Sequence, residues 1–228
     1  VAGVIGCMSD FSDAARQSTR ALRELFPRTP LQRNDYLSRR YGAEIWLKRE
    51  DLSPVRSYKL RGAFNAMRKV RASNPAQGHF VCASAGNHAQ GVAFACRHFA
   101  VRGTIFMPVT TPQQKILKTR TFGGDAVAIE LVGDYFDQTL AAAQAYCAQV
   151  EGHFLAPFDD PDVIEGPAKA PALGAIGLRR GDGLHAVAPD RHERRRTAAD
   201  GARVLGLVLA RVDRADDRSP AAALEATG

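Results

Sequence analysis

The sequence predicts an α/β protein whose sheet is mostly parallel and covered by helices. From His79 onward, short apolar runs alternate with longer helix-spaced segments in the order βαβαβαβ, and that order forces crossover connections and parallel strands. The runs are punctuated by Gly, Pro, Asn and Ser, the residues that end strands and begin turns. With 228 residues, 45% hydrophobic and 24% charged, the chain has the composition of a globular protein of one large or two small domains.

The elements follow in order. Asp13–Phe26 has helical spacing, with Ala14, Ala15, Ala21, Leu22 and Leu25 available to one face. Thr29-Pro30-Leu31 breaks it. Asp35–Tyr41 is read as a short helix, Ile45-Trp46-Leu47 as a strand, and Ser57–Arg71 as a helix burying Leu60, Ala63, Phe64 and Met67. The alternating part then runs through strand His79–Ala83, helix Asn87–Phe99, strand Thr104–Met107, helix Gln113–Thr121 and strand Ala126–Leu131. It closes with the Ala-rich helix Tyr135–Val150 and strand Phe154–Ala156. Sheets of this kind place ligands at the C-terminal ends of their strands, so chemistry is expected just after Ala83.

Bulk properties narrow the function classes. No run of 18 apolar residues spans a bilayer, and Val1–Met8 is apolar but short and lacks preceding basic residues, so a signal peptide is not expected. A cytoplasmic location is the resulting expectation. Cys7, Cys82, Cys96 and Cys147 are widely spaced with no C-x-x-C pair, which points to buried reduced thiols rather than a metal site or a disulfide framework. The formal charge of +7 suits an anionic small molecule as well as a nucleic acid, because charge speaks to association and not to fold.

Composition changes sharply along the chain. The eleven Phe, five Tyr and one Trp all lie at or before Phe158. Beyond Gly166 the chain is mostly Ala, Arg, Gly, Asp, Pro and Leu, with Lys169 its only lysine. Such a tail has little apolar surface to offset the entropy of ordering; a short helix around Ala199–Val212 is the element expected in it. Three readings of the tail are open: a disordered extension, a basic nucleic-acid-binding arm, or translation of a GC-rich gene in a shifted frame. The arm lacks interleaved aromatics.

Two segments carry candidate chemistry. Ser84-Ala85-Gly86-Asn87-His88-Ala89-Gln90-Gly91 joins a strand end to a helix start. Small residues let backbone amides approach a ligand there, and a helix N-terminus favours an anion such as a carboxylate or phosphate. The plainer reading is a tight turn with Asn87 as helix cap. Lys59, in Ser57-Tyr58-Lys59-Leu60-Arg61-Gly62-Ala63, stands near a helix start, where partial positive charge lowers a lysine's pKa and frees it for imine chemistry. Local chemistry does not select Lys59 over Lys48, and Lys48-Arg49-Glu50-Asp51-Leu52 reads as a solvated strand end.

The motifs taken together resemble a known family. Val55-Arg56-Ser57-Tyr58-Lys59-Leu60-Arg61-Gly62-Ala63 is similar to the pyridoxal 5'-phosphate attachment signature of the serine/threonine dehydratases, within the fold-type II (tryptophan synthase β-like) enzymes. Thr29-Pro30-Leu31 and Leu47–Leu52 precede it at the family's spacing. Ser84–Gly91, Pro108, Thr111-Pro112, Gly123-Gly124 and Pro157-Phe158-Asp159-Asp160 follow in the family's order, across residues 29–166.

The resemblance implies a threonine ammonia-lyase that converts L-threonine to 2-oxobutanoate and ammonia by β-elimination, or serine to pyruvate. It implies pyridoxal 5'-phosphate bound covalently to Lys59, which also takes the α-proton. Tyr58 would lie against the cofactor and Asn87 would bond its ring hydroxyl. Ser84, Ala85, Gly86, Asn87 and His88 would line the loop for the substrate carboxylate, and no metal is implied. Ala85 stands where related racemases place a second serine, which implies elimination rather than racemisation. Leu60, where synthases carry Asp after the lysine, argues against β-replacement.

The implied domain plan is residues 1–60 as the N-terminal part of the large domain, 61–156 as a complete small α/β domain, 157–166 as the return to the large domain, and 167–228 as an atypical tail. Similarity fades at Ile164-Glu165-Gly166. The family's four-glycine phosphate loop has no counterpart, since Gly174, Gly177, Gly181 and Gly183 are scattered. The large domain is therefore expected to be incomplete, truncated or frame-shifted after about Gly166, and a catalytically dead remnant is the alternative to an enzyme. The family's homo-oligomers would lose much of their contact surface with that half.

Overall fold

The computed structural model of the chain describes residues 2–42, 44–168, 176–180, 183–187 and 208–211. Its elements are α1 (Ala2–Leu25), β1 (Leu31–Arg33), α2 (Asp35–Tyr41), β2 (Glu44–Lys48), a 3-10 turn (Glu50–Leu52), α3 (Lys59–Ser73), β3 (His79–Ala83), α4 (Asn87–Phe99), β4 (Arg102–Met107), α5 (Gln113–Gly123), β5 (Val127–Leu131), α6 (Phe136–Gln149), β6 (His153–Phe154), α7 (Pro161–Glu165), β7 (Ile176–Arg180), β8 (Gly183–Val187) and β9 (Val208–Arg211). They form two compact units, one of Val1–Pro30 with Arg49–Leu173 and one of Leu31–Lys48 with Gly174–Gly228.

The first unit is built on a four-stranded sheet in the order β5-β4-β3-β6, parallel throughout. Alternation along β3 sends side chains to both faces. Phe80 and Cys82 join Ile105 and Met107 against Ala89, Val92, Ala93 and Cys96 of α4. Val81 and Ala83 join Phe106 against Ala143 and Cys147 of α6. Both faces are therefore covered, as a parallel sheet requires. Helix α1 adds a stripe of Ala15, Ser18 and Leu22, followed by buried Phe26 just past its end, and Leu22 and Phe26 pack with Val55, Leu60 and Phe64.

Helix α3 is buried from Leu60 through Met67, including Arg61 and Asn65. It can be so because two neighbours come within backbone contact. A Cβ on Gly91 of α4 would lie 3.0 Å from the Leu60 nitrogen, and one on Gly62 would lie 2.6 Å from the Val163 carbonyl of α7.

The second unit holds a sheet in the order β1-β2-β9-β7-β8. Strand β2 pairs antiparallel with both β1 and β9, β7 and β8 pair antiparallel, and β7 and β9 run parallel. In α2, Asn34 accepts from the Leu37 amide at 2.8 Å, and Gly42 ends the helix at φ +58°.

The α/β class and the parallel, helix-covered sheet stand as expected. Several details differ. Helix α1 begins at Ala2 rather than Asp13, because no proline interrupts the chain before Pro27. Val208–Arg211 is a strand and not part of a helix; there its backbone groups pair with β2. The second sheet is mostly antiparallel rather than parallel. Strand β1 and helix α7 are additions. Cys82, Cys96 and Cys147 are buried free thiols, with burial pushing Cys96 up to about 12. The side chain of Cys7 and the remainder of the Arg-rich tail lie outside the described residues. Among those described, no helix is long and apolar enough to cross a membrane.

Candidate active site

Lys59 opens α3, and its approach is built by the preceding loop. Ser53 Oγ donates to the Ser57 carbonyl at 2.9 Å and accepts from the Ser57 amide at 3.0 Å, while Arg56 turns the chain at φ +58°. Lys59 Nζ then donates to the Pro157 carbonyl at 2.5 Å, across 98 residues of sequence. It sits 5.4 Å from the centroid of the Tyr58 ring and 5.8 Å from that of Phe158. A cavity of about 300 Å³ opens here, with Tyr58, Lys59, Gly62, Pro157, Phe158 and Val163 in its wall.

Burial lowers the pKa of Lys59 and raises that of Tyr58. For Lys59 the cause is desolvation of the charged amine. A partly desolvated amine is neutral more readily and so more nucleophilic at neutral pH.

The Ser84–Gly91 segment follows β3 at the C-terminal end of the sheet. Ser84 Oγ accepts from the Gly86 amide at 3.2 Å. Asn87 does not cap α4; it is the first helical residue, and the cap position falls to Gly86. A Cβ on Gly86 would meet nothing within 4 Å, so space above the turn is open. His88 is 3% exposed, and its Nε2 lies 3.0 Å from the Leu155 carbonyl. Burial pushes its pKa down to about 4, the Leu155 carbonyl opposes that, and the charge of Lys59 adds to it. Gly91 meets the backbone of Lys59 and Leu60. The starts of α3 and α4 are thereby adjacent, although Ser84–His88 do not line the cavity beside Lys59.

Charges behind α3 complete the surroundings. Arg61 donates through Nε to Glu50 Oε2 at 2.9 Å and through Nη2 to Glu50 Oε1 at 3.0 Å, and Thr29 Oγ1 donates to Glu50 Oε1 at 2.6 Å. The Arg61 guanidinium lies 4.9 Å over the Phe26 ring. Lys48-Arg49-Glu50-Asp51 is thus only partly solvated. Lys48 and Glu50 are buried, while Arg49 and Asp51 pair on the surface at 2.8 Å, because the turn at Glu50 sends neighbours to opposite sides.

Comparison with known proteins shows the family. A family model described as "Pyridoxal-phosphate dependent enzyme" matches residues 22–173. The chain belongs to that family. Within it, the chain is 53% identical over 138 residues to the biosynthetic L-threonine dehydratase IlvA of Bacillus subtilis, covering 60% of this chain and 32% of that protein. It is 50% identical over 145 residues to the same enzyme of Lactococcus lactis, covering 64% and 35%. The chain thus spans about a third of the length of the curated relatives it matches.

Solved structures of pyridoxal-phosphate enzymes overlap the same part. The processed threonine deaminase isoform 2 of Solanum lycopersicum superposes with TM-score 0.57 at 36% identity, over 68% of this chain and 44% of that one. A second threonine deaminase, that of T.th., superposes with TM-score 0.62 at 28% identity, over 69% and 48%. Pro157 and Phe158 are neighbours of Lys59 that the reading of individual side chains did not single out; their presence in an ordered family motif is the signal that marks them.

Proposed function

We propose that this chain carries the lysine and substrate-turn half of a pyridoxal-phosphate-dependent threonine (serine) dehydratase, a lyase acting on a small amino acid. The observation that carries the reading is Lys59. Its half-buried amine stands at the start of α3, between two aromatic rings, beside a cavity of about 300 Å³. The identity to threonine dehydratases over the same residues supports the substrate class.

The residues present fit the ring and amine end of pyridoxal phosphate. Lys59 would hold it covalently, Tyr58 would lie against its ring, and Asn87 would bond its ring hydroxyl. The open space above Gly86 supports a ligand there. When bound, the cofactor supplies an electron sink for the charge left at the substrate's α-carbon. The chain's own part is to bind and to move a proton. The turn of Ser84, Ala85, Gly86, Asn87 and His88 offers amides to the substrate carboxylate, and Ala85 brings no hydroxyl to protonate the opposite face. Lys59 Nζ, whose pKa burial lowers, would take the α-proton once the substrate amine has displaced it from the cofactor. The Tyr58 and Phe158 rings flank that amine. The reading carries with it the domain plan of 1–60, 61–156 and 157–166.

The test is the visible spectrum of the purified full chain with added pyridoxal phosphate, followed by borohydride reduction and peptide mapping. An absorption band with the reduced label on Lys59 is expected, and conversion of L-threonine to 2-oxobutanoate is the assay that follows. Label scattered over surface lysines, with no band, overturns the reading.

A further inference from the structure

Leu155 and Pro157 belong to one short segment that receives both candidate groups. The Leu155 amide donates to the Val81 carbonyl of β3 at 2.8 Å, which fixes the segment alongside the sheet. The Leu155 carbonyl meets His88 Nε2 at 3.0 Å, and the Pro157 carbonyl meets Lys59 Nζ at 2.5 Å. The imidazole is buried and its Nδ1 has no hydrogen-bond partner among the described residues. A carbonyl oxygen only accepts, so Nε2 must carry the proton, and in a neutral ring Nδ1 is then bare. Nothing in the proposed proton transfer uses this side chain.

We infer that the His88 imidazole is a positioning group, held as the Nε2–H tautomer on the Leu155 carbonyl, and that it sets the spacing between the Ser84–Asn87 turn and Lys59. The inference rests on the dehydratase reading for its purpose, but its geometry stands without the cofactor. His88 is the second residue of α4, so an anchored ring fixes the amides of the turn just before it. Lys59 is measured off the same segment, two residues further on. A turn free to shift against the lysine would lose alignment between carboxylate and α-proton, and misplacement of about 1 Å at such a site costs on the order of a hundredfold.

Gln and Asn separate this role from a general packing role. The amide nitrogen of Gln reaches the place of Nε2, whereas that of Asn reaches only the place of Nδ1. In the full chain without cofactor, long-range proton–nitrogen NMR of His88 is expected to show a protonated Nε2 and a bare Nδ1. Amide exchange across Ala85–Asn87 is expected to quicken in H88N and to return towards wild type in H88Q. With pyridoxal phosphate and borohydride, labelling of Lys59 is expected to fall about tenfold or more in H88N and to recover in H88Q.

An Nδ1–H tautomer overturns the inference, and so does equal behaviour of H88N and H88Q in amide exchange. Failure of the wild-type chain to label Lys59, with the tautomer and the exchange pattern as expected, overturns the dehydratase reading alone.

Discussion

The two sides of α3 are held by different physics. Towards α4 and the parallel sheet it meets an apolar core, in which Phe80, Cys82, Val92, Ile105 and Leu155 are fully buried. Towards the loop before it and α7 it meets charge: Glu50 and Thr29 hold Arg61, while Lys69 pairs with Asp162 and Glu165. The apolar side needs only volume and pattern, and tolerates many sequences. The charged side needs each partner present, because a buried ion left alone loses its hydration without compensation. The Glu50–Arg61 pair, buried at both partners, is the least forgiving of these contacts.

The largest expected effect follows from breaking that pair. Glu50→Ala leaves the Arg61 guanidinium buried without its carboxylate, and a loss of about 3–5 kcal/mol is expected in urea unfolding. The double variant Glu50→Met, Arg61→Leu removes both charges and is expected to lose much less. If the double variant is as unstable as the single one, the side is held by shape and the contrast fails.

A smaller effect separates the regions by pH. His88 in the fold titrates at about 4, against an ordinary value of 6.5. Between those values the unfolded chain takes up a proton that the fold refuses, so stability falls as pH drops from about 6.5 to 4. The loss through this group is at most about 3 kcal/mol. His79 and His153 are also lowered by burial and act in the same direction. Comparing unfolding midpoints at the two ends of the window in wild type and His88→Gln isolates the His88 share. Equal pH slopes in the two proteins would remove it.

Much of the sheet was legible in the sequence because its central strands β3 and β4 are buried along most of their length and bounded by turn residues. His79–Ala83 and Asn87–Phe99 agree with the structure at both ends. Leu31–Arg33 is an exposed three-residue strand without alternation in its burial, so pattern had nothing to reveal. Helix α7 did leave a signal, since Asp160 caps it and Pro161 occupies the first turn, but five residues are too few for periodicity. The site was legible only as motifs. Lys59 is set by contacts with Pro157 and Phe158, which lie far away in sequence, and no local propensity encodes them. The inward turn of Glu50 depends likewise on Arg61 and Thr29.

The smallest effect sharpens the contrast from the apolar side, where backbone conformation rather than charge is the remaining cost. Helix α4 ends at Ala100, an exposed residue at φ +52° and ψ +45°. Its Cβ is unfavourable in that left-handed conformation, which glycine adopts freely and commonly supplies at helix ends. The Ala100 amide donates to the Arg97 carbonyl, so the terminus is already closed and substitution removes no hydrogen bond. Ala100→Gly is therefore expected to stabilise the chain by about 0.5–1 kcal/mol, the steric relief exceeding the added entropy of the unfolded glycine. The gain should appear in thermal or urea unfolding and be the same at pH 6.5 and pH 4.5, because no titrating group takes part. A loss of stability would show that the Ala100 side chain contributes packing at the end of α4 that its exposure conceals.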